Sequence, residues 1–309
     1  MTQQYLRALS LIVGNQAQAK DLSQLHVRFE VKSATVQTLK TLECRIYNTT
    51  DELAAQIANE FTSVKLSAGY EGNIAQIFSG EITMVRRGKE SADTTFVDIQ
   101  AQDGDKAFNW GTSTWTVSKS YTPDDIWKKC LTDLAPYGIT EGYRPDTFTG
   151  NPSTDAMSVH AQTRDVLRDF AKAQSCTWNI EDSKLNLIPI KGFLPGVVPE
   201  VSASSGMIGT PQQTTGGLIV RTLLNPIIRA GSKIHLRSDV SVSQLLLTSK
   251  FQTPAIVPSS DPDGYYRTFQ VVHAGDSRGN AWYTDSVCVA VDGTAPLTSN
   301  FTEAVPENG

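Results

Sequence analysis

Cysteine is scarce and never clustered. The four thiols, Cys44, Cys130, Cys176 and Cys288, lie far apart, so no CxxC pair exists and a local zinc knuckle or redox motif is excluded. Cys44 and Cys288 fall in alternating apolar patterns, and Cys130 and Cys176 sit beside core-like positions. This predicts buried free thiols in a reducing compartment. Histidine is equally sparse: His26, His160, His235 and His273 show neither HxH nor HxxxH spacing, so no metal site forms within one segment. The phosphate loop GxxxxGK[ST] and the dinucleotide turn GxGxxG are missing, which removes the usual anchors of nucleotide hydrolysis and nicotinamide chemistry. Basic residues are in deficit. Lys and Arg number 27 against 32 Asp and Glu, for a net charge of −5, and nonspecific nucleic-acid binding needs the opposite balance. Long apolar runs are also lacking. The longest in the first twenty residues is Leu11-Ile12-Val13, too short for the core of a signal peptide, and no window approaches the ~18 apolar residues of a membrane span. The chain is therefore expected to be made and folded in a cytoplasm.

What is present is ample apolar material, 39% of 309 residues, with 19% charged. That suits sizeable cores and about two domains. Charge is uneven, since residues 246–309 hold 3 basic and 7 acidic side chains. The N-terminal third alternates with period two: Leu25, Val27, Phe29 and Val31, then Leu42, Cys44 and Ile46, then Val64, Leu66, Ala68 and Tyr70, then Ile82 and Met84, then Val97 and Ile99. One helix interrupts it, with Thr49 as the expected N-cap, Glu52 closing a capping box, and Leu53, Ile57 and Phe61 on one face. With Gly69, Gly72 and Gly80 as turn markers, residues 1–108 are expected to form a small β-barrel.

The texture changes near Trp110. Thr122-Pro123-Asp124-Asp125 is a helix start, Ile126, Trp127, Cys130, Leu131 and Leu134 make its apolar stripe, and Gly138 ends it. Residues 141–155 read as loop. A second helix starts at Thr163 with Val166, Leu167, Phe170 and Ala171 on one face, and Trp178 and Ile180 pair through a turn at 181–183 with Leu185 and Leu187. Residues 109–190 are thus a separate α+β module. From 191 the chain is β again. Gly216-Gly217 precedes Leu218, Val220, Thr222 and Leu224; Asn225-Pro226 turns; Ile234 and Leu236 flank His235; Arg267, Phe269, Val271 and His273 share a face; residues 282–291 return. Residues 239–247 fit strand or short helix, 257–264 read as loop, and the tail from Thr294 is expected to fray or reach a neighbour. No repeat of 20–50 residues is present.

The most catalytic-looking cluster is His273, Asp276 and Arg278, where a histidine beside a carboxylate could act as general base. Turn chemistry explains it better: in residues 274–280 Asp and Asn bond the backbone and glycine, Gly279 in particular, takes positive φ. Asp124 and Asp125 sit where a helix N-terminus favours carboxylates. The tryptophans at 110, 115, 127, 178 and 282 could line a carbohydrate cleft, but core anchoring accounts for them. No catalytic, cofactor-binding or metal-ligating residue is assigned, and the lack of chemistry in so large a β-rich chain favours a structural protein.

Three stretches carry a resemblance. One is Leu25 to Val31, with Cys44 to Thr49, Ala68-Gly69-Tyr70-Glu71-Gly72 and Phe78-Ser79-Gly80-Glu81-Ile82. The second is Gly209-Thr210-Pro211-Gln212-Gln213-Thr214 through Val220 into Leu223-Leu224-Asn225-Pro226 and Ala230-Gly231-Ser232. The third is Gly264-Tyr265-Tyr266-Arg267, then residues 272–280, Trp282-Tyr283-Thr284 and Cys288. In order and spacing these resemble the baseplate hub proteins of contractile-tailed bacteriophages, and the hub part of type VI secretion spikes. The resemblance implies a mainly β chain with two tail-tube-like β-barrel domains, 1–108 and 191–309, around the 109–190 module, with part of 191–215 completing the first barrel. It implies a homotrimer that adapts a sixfold tail tube to a threefold central spike, with other baseplate proteins as neighbours. DNA would pass through its lumen without specific binding, along a wall of negative or neutral charge. It implies a structural virion protein of the tail baseplate, assembled in the host cytoplasm, with no enzyme activity, cofactor or metal. The alternatives are a tail-associated cell-wall hydrolase, which would need paired carboxylates or a metal, and a carbohydrate-binding module with several tryptophans in one groove.

Overall fold

The structure is a computed structural model that describes residues 6–15, 17–36, 38–214, 217–237, 242–244 and 264–290. The N-terminal third holds β1 (Arg7–Gly14), β2 (Ala19–Asp21), β3 (Val27–Ala34), β4 (Thr41–Tyr47), α1 (Asp51–Asn59), β5 (Ser63–Tyr70), β6 (Asn73–Lys89) and β7 (Thr95–Gln102). Every neighbouring pair is antiparallel, in the order β3-β4-β7-β6-β5-β1-β2. The period-two pattern decides which face is covered. Val27, Phe29 and Val31 of β3 are buried while Arg28 and Lys32 are exposed, and β4 buries Leu42, Cys44 and Ile46. The cap of α1 is Thr50 rather than Thr49: its Oγ1 accepts from Leu53 N at 3.2 Å, and Ile57 faces the core. Of the three expected turn glycines, Gly72 alone sits in a turn. Its φ of 82° lets two residues join β5 to β6, whereas Gly69 and Gly80 lie inside strands.

The middle module contains α2 (Asp105–Trp110), β8 (Thr112–Val117), α3 (Pro123–Leu134), β9 (Thr140–Glu141), β10 (Met157–Gln162), α4 (Thr163–Ala173), β11 (Cys176–Glu181) and β12 (Lys184–Pro189). Thr122 and Asp125 form the expected capping box of α3, with Pro123 in its first turn, and Gly138 (φ 81°) follows a closing 3₁₀ turn. β11 and β12 meet through Asp182 and Ser183, both at positive φ, so the two-residue turn has the twist that antiparallel strands require. Trp127, Cys130, Leu134, Leu167, Phe170, Trp178 and Leu187 fill a core of their own.

The last third holds β13 (Glu200–Val201), β14 (Gln212–Thr214), β15 (Gly217–Leu223), β16 (Lys233–Leu236), β17 (Ser243–Gln244), β18 (Tyr265–Asp276) and β19 (Trp282–Ala290). β18 is the pivot of the topology. One edge pairs with β19 throughout. The other pairs first with β16 (Arg267 opposite Lys233) and then with β3 (Gln270 opposite Ala34 through Asp276 opposite Arg28). Both β-rich ends are thereby joined in one 14-stranded sheet, and the described residues form no closed barrel. Within 191–215, β13 pairs with β16, and β14 with β15 and β17; the strand that extends the first sheet is β18. The register shifts between Thr268 and Gln270, a bulge that puts neighbouring Arg267 and Thr268 both inside and breaks the expected single face running from Arg267 to His273. Two further cores follow the ends of the chain. One spans β1 to β7 and takes in Leu224 and Trp282; the other is built from Val201, Val220, Ile234, Val271 and Cys288. Of the undecided stretch 239–247, residues 243–244 are strand. Residues 257–263 and the tail from Thr294 lie outside the described residues.

Candidate functional site

The cluster singled out in the sequence comes apart. His273 points inward and is buried, its Nδ1 lies 2.9 Å from Thr284 Oγ1, and burial pulls its pKa down to about 3. A ring held neutral in this way is no general acid or base near neutrality. Asp276 instead meets His26, whose Nε2 is 2.7 Å from Oδ1, and it accepts the backbone N–H groups of Arg278 (2.9 Å) and Gly279 (2.7 Å). Gly279 does not take positive φ. It is glycine because a Cβ there would stand 2.5 Å from Asp276 Oδ2 and 3.1 Å from its Cβ. Residues 275–279 spell GxSxG, the spacing of a nucleophile elbow. Here it joins two strands, not a strand and a helix. Ser277 Oγ accepts from Val27 N at 2.9 Å and donates to Leu25 O at 3.4 Å, so the hydroxyl fastens the turn to the start of β3. Tyr47 stacks on His26 at 4.4 Å, and Arg7 caps the turn carbonyls of Asp276, Gly279 and Asn280.

Burial alone would raise the Asp276 carboxyl, but the two N–H groups and His26 outweigh it and hold it below the usual range. Folding therefore favours the ionised form, and that stabilisation is present above the unfolded pKa and lost as pH falls through the folded one. Asp276→Ala should cost about 1–2 kcal/mol at pH 7 and less at pH 3. Urea unfolding of both proteins at the two pH values checks this, and an equal loss at both would contradict it.

A second constellation lies where the middle module meets the sheet. Lys40 Nζ is 2.9 Å from Glu181 Oε1 and 3.5 Å from Asp182 Oδ1; Asp182 Oδ2 also receives Arg229 at 2.9 Å; and Ser183 N donates to the Asp103 carboxylate. Lys40 and Glu181 are only 5% and 6% exposed. Burial pulls the Lys40 ammonium down, but Glu181 and Asp182 outweigh it and keep it above the usual lysine range. Burial also pushes the Asp103 carboxyl up to about 6 against the pull of Lys40. The β11–β12 turn is thus a plug in a charged socket. Close by, Arg267 Nη1 donates to the carbonyls of Pro189, Ile190 and Gly192, which fixes the exit of β12.

The outer face of the continuous sheet is polar and internally paired. Asp98 takes Arg45 bidentately (2.6 and 3.0 Å) and Arg86 at 2.6 Å, and Arg221 takes Asp285 bidentately (2.6 and 2.8 Å). A shallow cavity of about 460 Å³ lies on this face between Arg28, Glu30, Glu43 and Tyr283. The guanidinium groups here already hold carboxylates, a face that repels neither sign strongly and grips neither. Among the described residues no three His, Cys, Asp or Glu side chains come together as a metal group. The four cysteines are buried and free, and burial pushes their thiols up to between about 11 and about 12. Trp127, Trp178 and Trp282 are core, Trp115 packs half-buried with its Nε1 on Asp133, and Trp110 alone is exposed; no groove of tryptophans forms. Among the described residues no helix is long and apolar enough to cross a membrane.

This geometry of paired charges, satisfied turns and shared strands fastens parts together, and it is paralleled in known proteins. The family described as baseplate hub gp41 matches residues 37–243, more than half of the chain. The chain belongs to this baseplate hub family. As a hub-family member it is a structural component of a phage tail baseplate and not an enzyme. No curated protein matches it by sequence. In fold, the hub chain is similar to the 43 kDa tail protein of prophage MuSo2 from Shewanella oneidensis, with 7% identity, TM-score 0.60, and 94% of this chain and 99% of that one covered. It is equally similar to the tail protein of Neisseria meningitidis, with 12% identity, TM-score 0.60, and coverage of 98% and 100%. A third likeness is to an Escherichia coli type VI secretion component, itself described as structurally similar to the phage T4 tail proteins gp27 and gp5 (10% identity, TM-score 0.51, coverage of 94% and 80%).

Proposed function

We propose that the chain is the trimeric adaptor of the baseplate, with tail tube on one side and central spike on the other, and that three copies surround the path of DNA ejection. The observation that carries this reading is the family match combined with β18, which joins two β-rich halves into one continuous wall. Two tube-like halves per chain would let three copies present six similar surfaces, as a change from sixfold to threefold symmetry requires. Three cores, each built mostly from one segment, support a division into a first tube-like unit (1–108), an α+β module (109–190) and a second tube-like unit (191–309), with barrel closure completed between neighbours. The likeness of the type VI component to gp27 and gp5 fits a hub beside a spike. Assembly takes place in the host cytoplasm, where buried free thiols are stable.

The channel wall is negative or neutral, so that a duplex slides without condensing on it. The self-paired outer face of the sheet suits that role, while most of the acidic excess after residue 245 lies outside the described residues. Native mass spectrometry and particle reconstruction of the full chain with its tube and spike partners test the proposal. Threefold rings that bind duplex weakly, with little dependence on salt, are expected. A stable sixfold ring of identical copies, or tight and salt-sensitive duplex binding, overturns it.

A further inference from the structure

A cleft of about 430 Å³ lies where the three segments of the chain meet. Ala75 of β6 borders it from the first segment and Tyr143 from the middle module, and residues from 193–198 and 226–233 of the last supply its other walls. The lining is mostly apolar, and the apolar surface continues past the rim: Val197 is 72% exposed, Val198 40% and Ile227 37%. A single exposed aliphatic side chain is ordinary, but three around one cleft form a patch. Loose backbone does not account for it. Leu194 N donates to Gly231 O at 2.7 Å and His235 N to Pro199 O at 3.0 Å, so both valines sit on a stretch pinned at its two ends.

The cleft also has a sign. Among the described residues its charged lining is Arg229 and Lys233, with no carboxylate. Arg229 holds Asp182 at 2.9 Å. Lys233 Nζ lies over the rings of Phe193 (4.8 Å) and Tyr265 (4.0 Å), and no carboxylate among the described residues pairs with it. The site therefore fits an apolar segment that carries negative charge. Residues 291–309 lie outside the described residues, and their sequence has that character. Leu297, Phe301 and Val305 are apolar; Asp292, Glu303 and Glu307 are acidic; Lys, Arg and His are absent. Residues two apart share a side of an extended segment, so Leu297, Phe301, Glu303, Val305 and Glu307 would face one way.

The point of departure is near. Ala290 pairs with Tyr266, and Tyr266 with Ile234, so the end of β19 stands two strand spacings, about 10 Å, from the neighbour of Lys233. β16 and β19 run parallel, so the chain leaves away from the cleft and must reverse, and Asp292-Gly293 is a dipeptide suited to that. Phe301 then has about 36 Å of extended chain at its disposal. We propose that the cleft is the docking site of the chain's own segment 297–307, with Phe301 between Val197 and Ile227 and Glu303 on Lys233. The tether makes this segment the fitting occupant, since it presents Phe301 at a roughly millimolar effective concentration against any other copy or partner. Once docked, it touches walls from all three segments and clasps the middle module to both β-rich ends. The clasp forms within one chain and needs no ring.

The test uses the full chain carrying Val197→Cys and Thr302→Cys together, with a short bismaleimide; the native thiols are buried and stay silent. A link inside one chain is expected. Absence of a link overturns the proposal, and so does a link between chains when the two single variants, differing in mass tag, are mixed. Phe301→Ser should speed hydrogen exchange at the Leu194 and His235 amides at least about tenfold, with the near-ultraviolet circular dichroism unchanged. Lys233→Glu should do the same, and the exchanged pair Lys233→Glu/Glu303→Lys should restore slow exchange, which a merely structural lysine would not allow. Unchanged exchange in Phe301→Ser, or no rescue by the exchanged pair, sinks the clasp. Either result leaves the hub reading standing, since native mass spectrometry with the tube and spike partners decides that separately.

Discussion

Trp282→Ala is expected to be the most damaging single substitution in the chain. Trp282 opens β19, yet it is 2% exposed in the core of the first third, where its ring meets Phe29 edge to face at 5.5 Å and its Nε1 donates to Gly69 O at 3.1 Å. The Arg7 guanidinium lies over the ring, 5.5 Å from its centre. The truncation opens a cavity and leaves a buried carbonyl without its donor, together about 3–5 kcal/mol. Urea unfolding gives the number. Hydrogen exchange gives the place, because β3 amides should lose protection together with β18, although more than 200 residues separate the two in sequence. A loss below about 1 kcal/mol, or one confined to β19, would show that the two ends of the chain are not coupled in this way.

Lys40→Met should come second. It strands Glu181, Asp182 and Asp103 around Arg229 alone, and removing one partner of a buried ion pair costs about 3–5 kcal/mol. The double variant Lys40→Met/Glu181→Leu should recover most of the loss, since an apolar pair of similar volume can replace a buried bridge. The pH dependence has a definite sign. Asp103 titrates at about 6 in the folded chain, above its unfolded value, so its contribution is present at low pH and lost as pH rises through about 6. Without Lys40 that carboxyl rises further, and the gap between wild type and variant should be wider at pH 8 than at pH 5. Thermal unfolding at both pH values checks this; a gap that does not change with pH would mean that the socket holds the turn by packing and not by charge.

The parts of this fold that could be read from the sequence are those in which period and burial coincide. Val27, Phe29 and Val31, or Val166, Leu167 and Phe170, announce their faces because one side of the element is dry and the other wet. β8, β10 and α2 gave no such signal. Threonine and serine occupy both faces of β8, β10 has one mostly exposed face and one half-buried, and α2 is six residues long. β1 could have been found from Leu9, Leu11 and Val13, but the run Leu11-Ile12-Val13 hides the alternation by placing an exposed isoleucine between two buried residues. The His273 cluster was legible as a turn in which Asp276 bonds backbone N–H groups, but its long-range partners were not legible. Local spacing brought His273, Asp276 and Arg278 together, and strand alternation then sent His273 inward while the carboxylate found His26, 250 residues away. The socket of Lys40, Asp103, Glu181 and Arg229 is illegible for the same reason, since four distant segments meet there and none carries a motif.

The double pairing of β18 sets an order of events in synthesis. β3 is made within the first 34 residues, but the strand that completes its hydrogen bonds runs to Asp276. At roughly 5–20 residues per second a ribosome takes on the order of ten seconds or more to bridge that gap. Throughout that interval the nascent first sheet has an unpaired edge at β3, and the slot for Trp282 is empty. Its neighbours on the polysome are copies of the same chain in the same state, each able to offer a late strand to another's early one. Exchange of β18 between copies is therefore the natural misfolding route of this chain, and the mixed charges along β3, Arg28, Glu30 and Lys32, are the guard that keeps waiting edges apart until the right strand arrives.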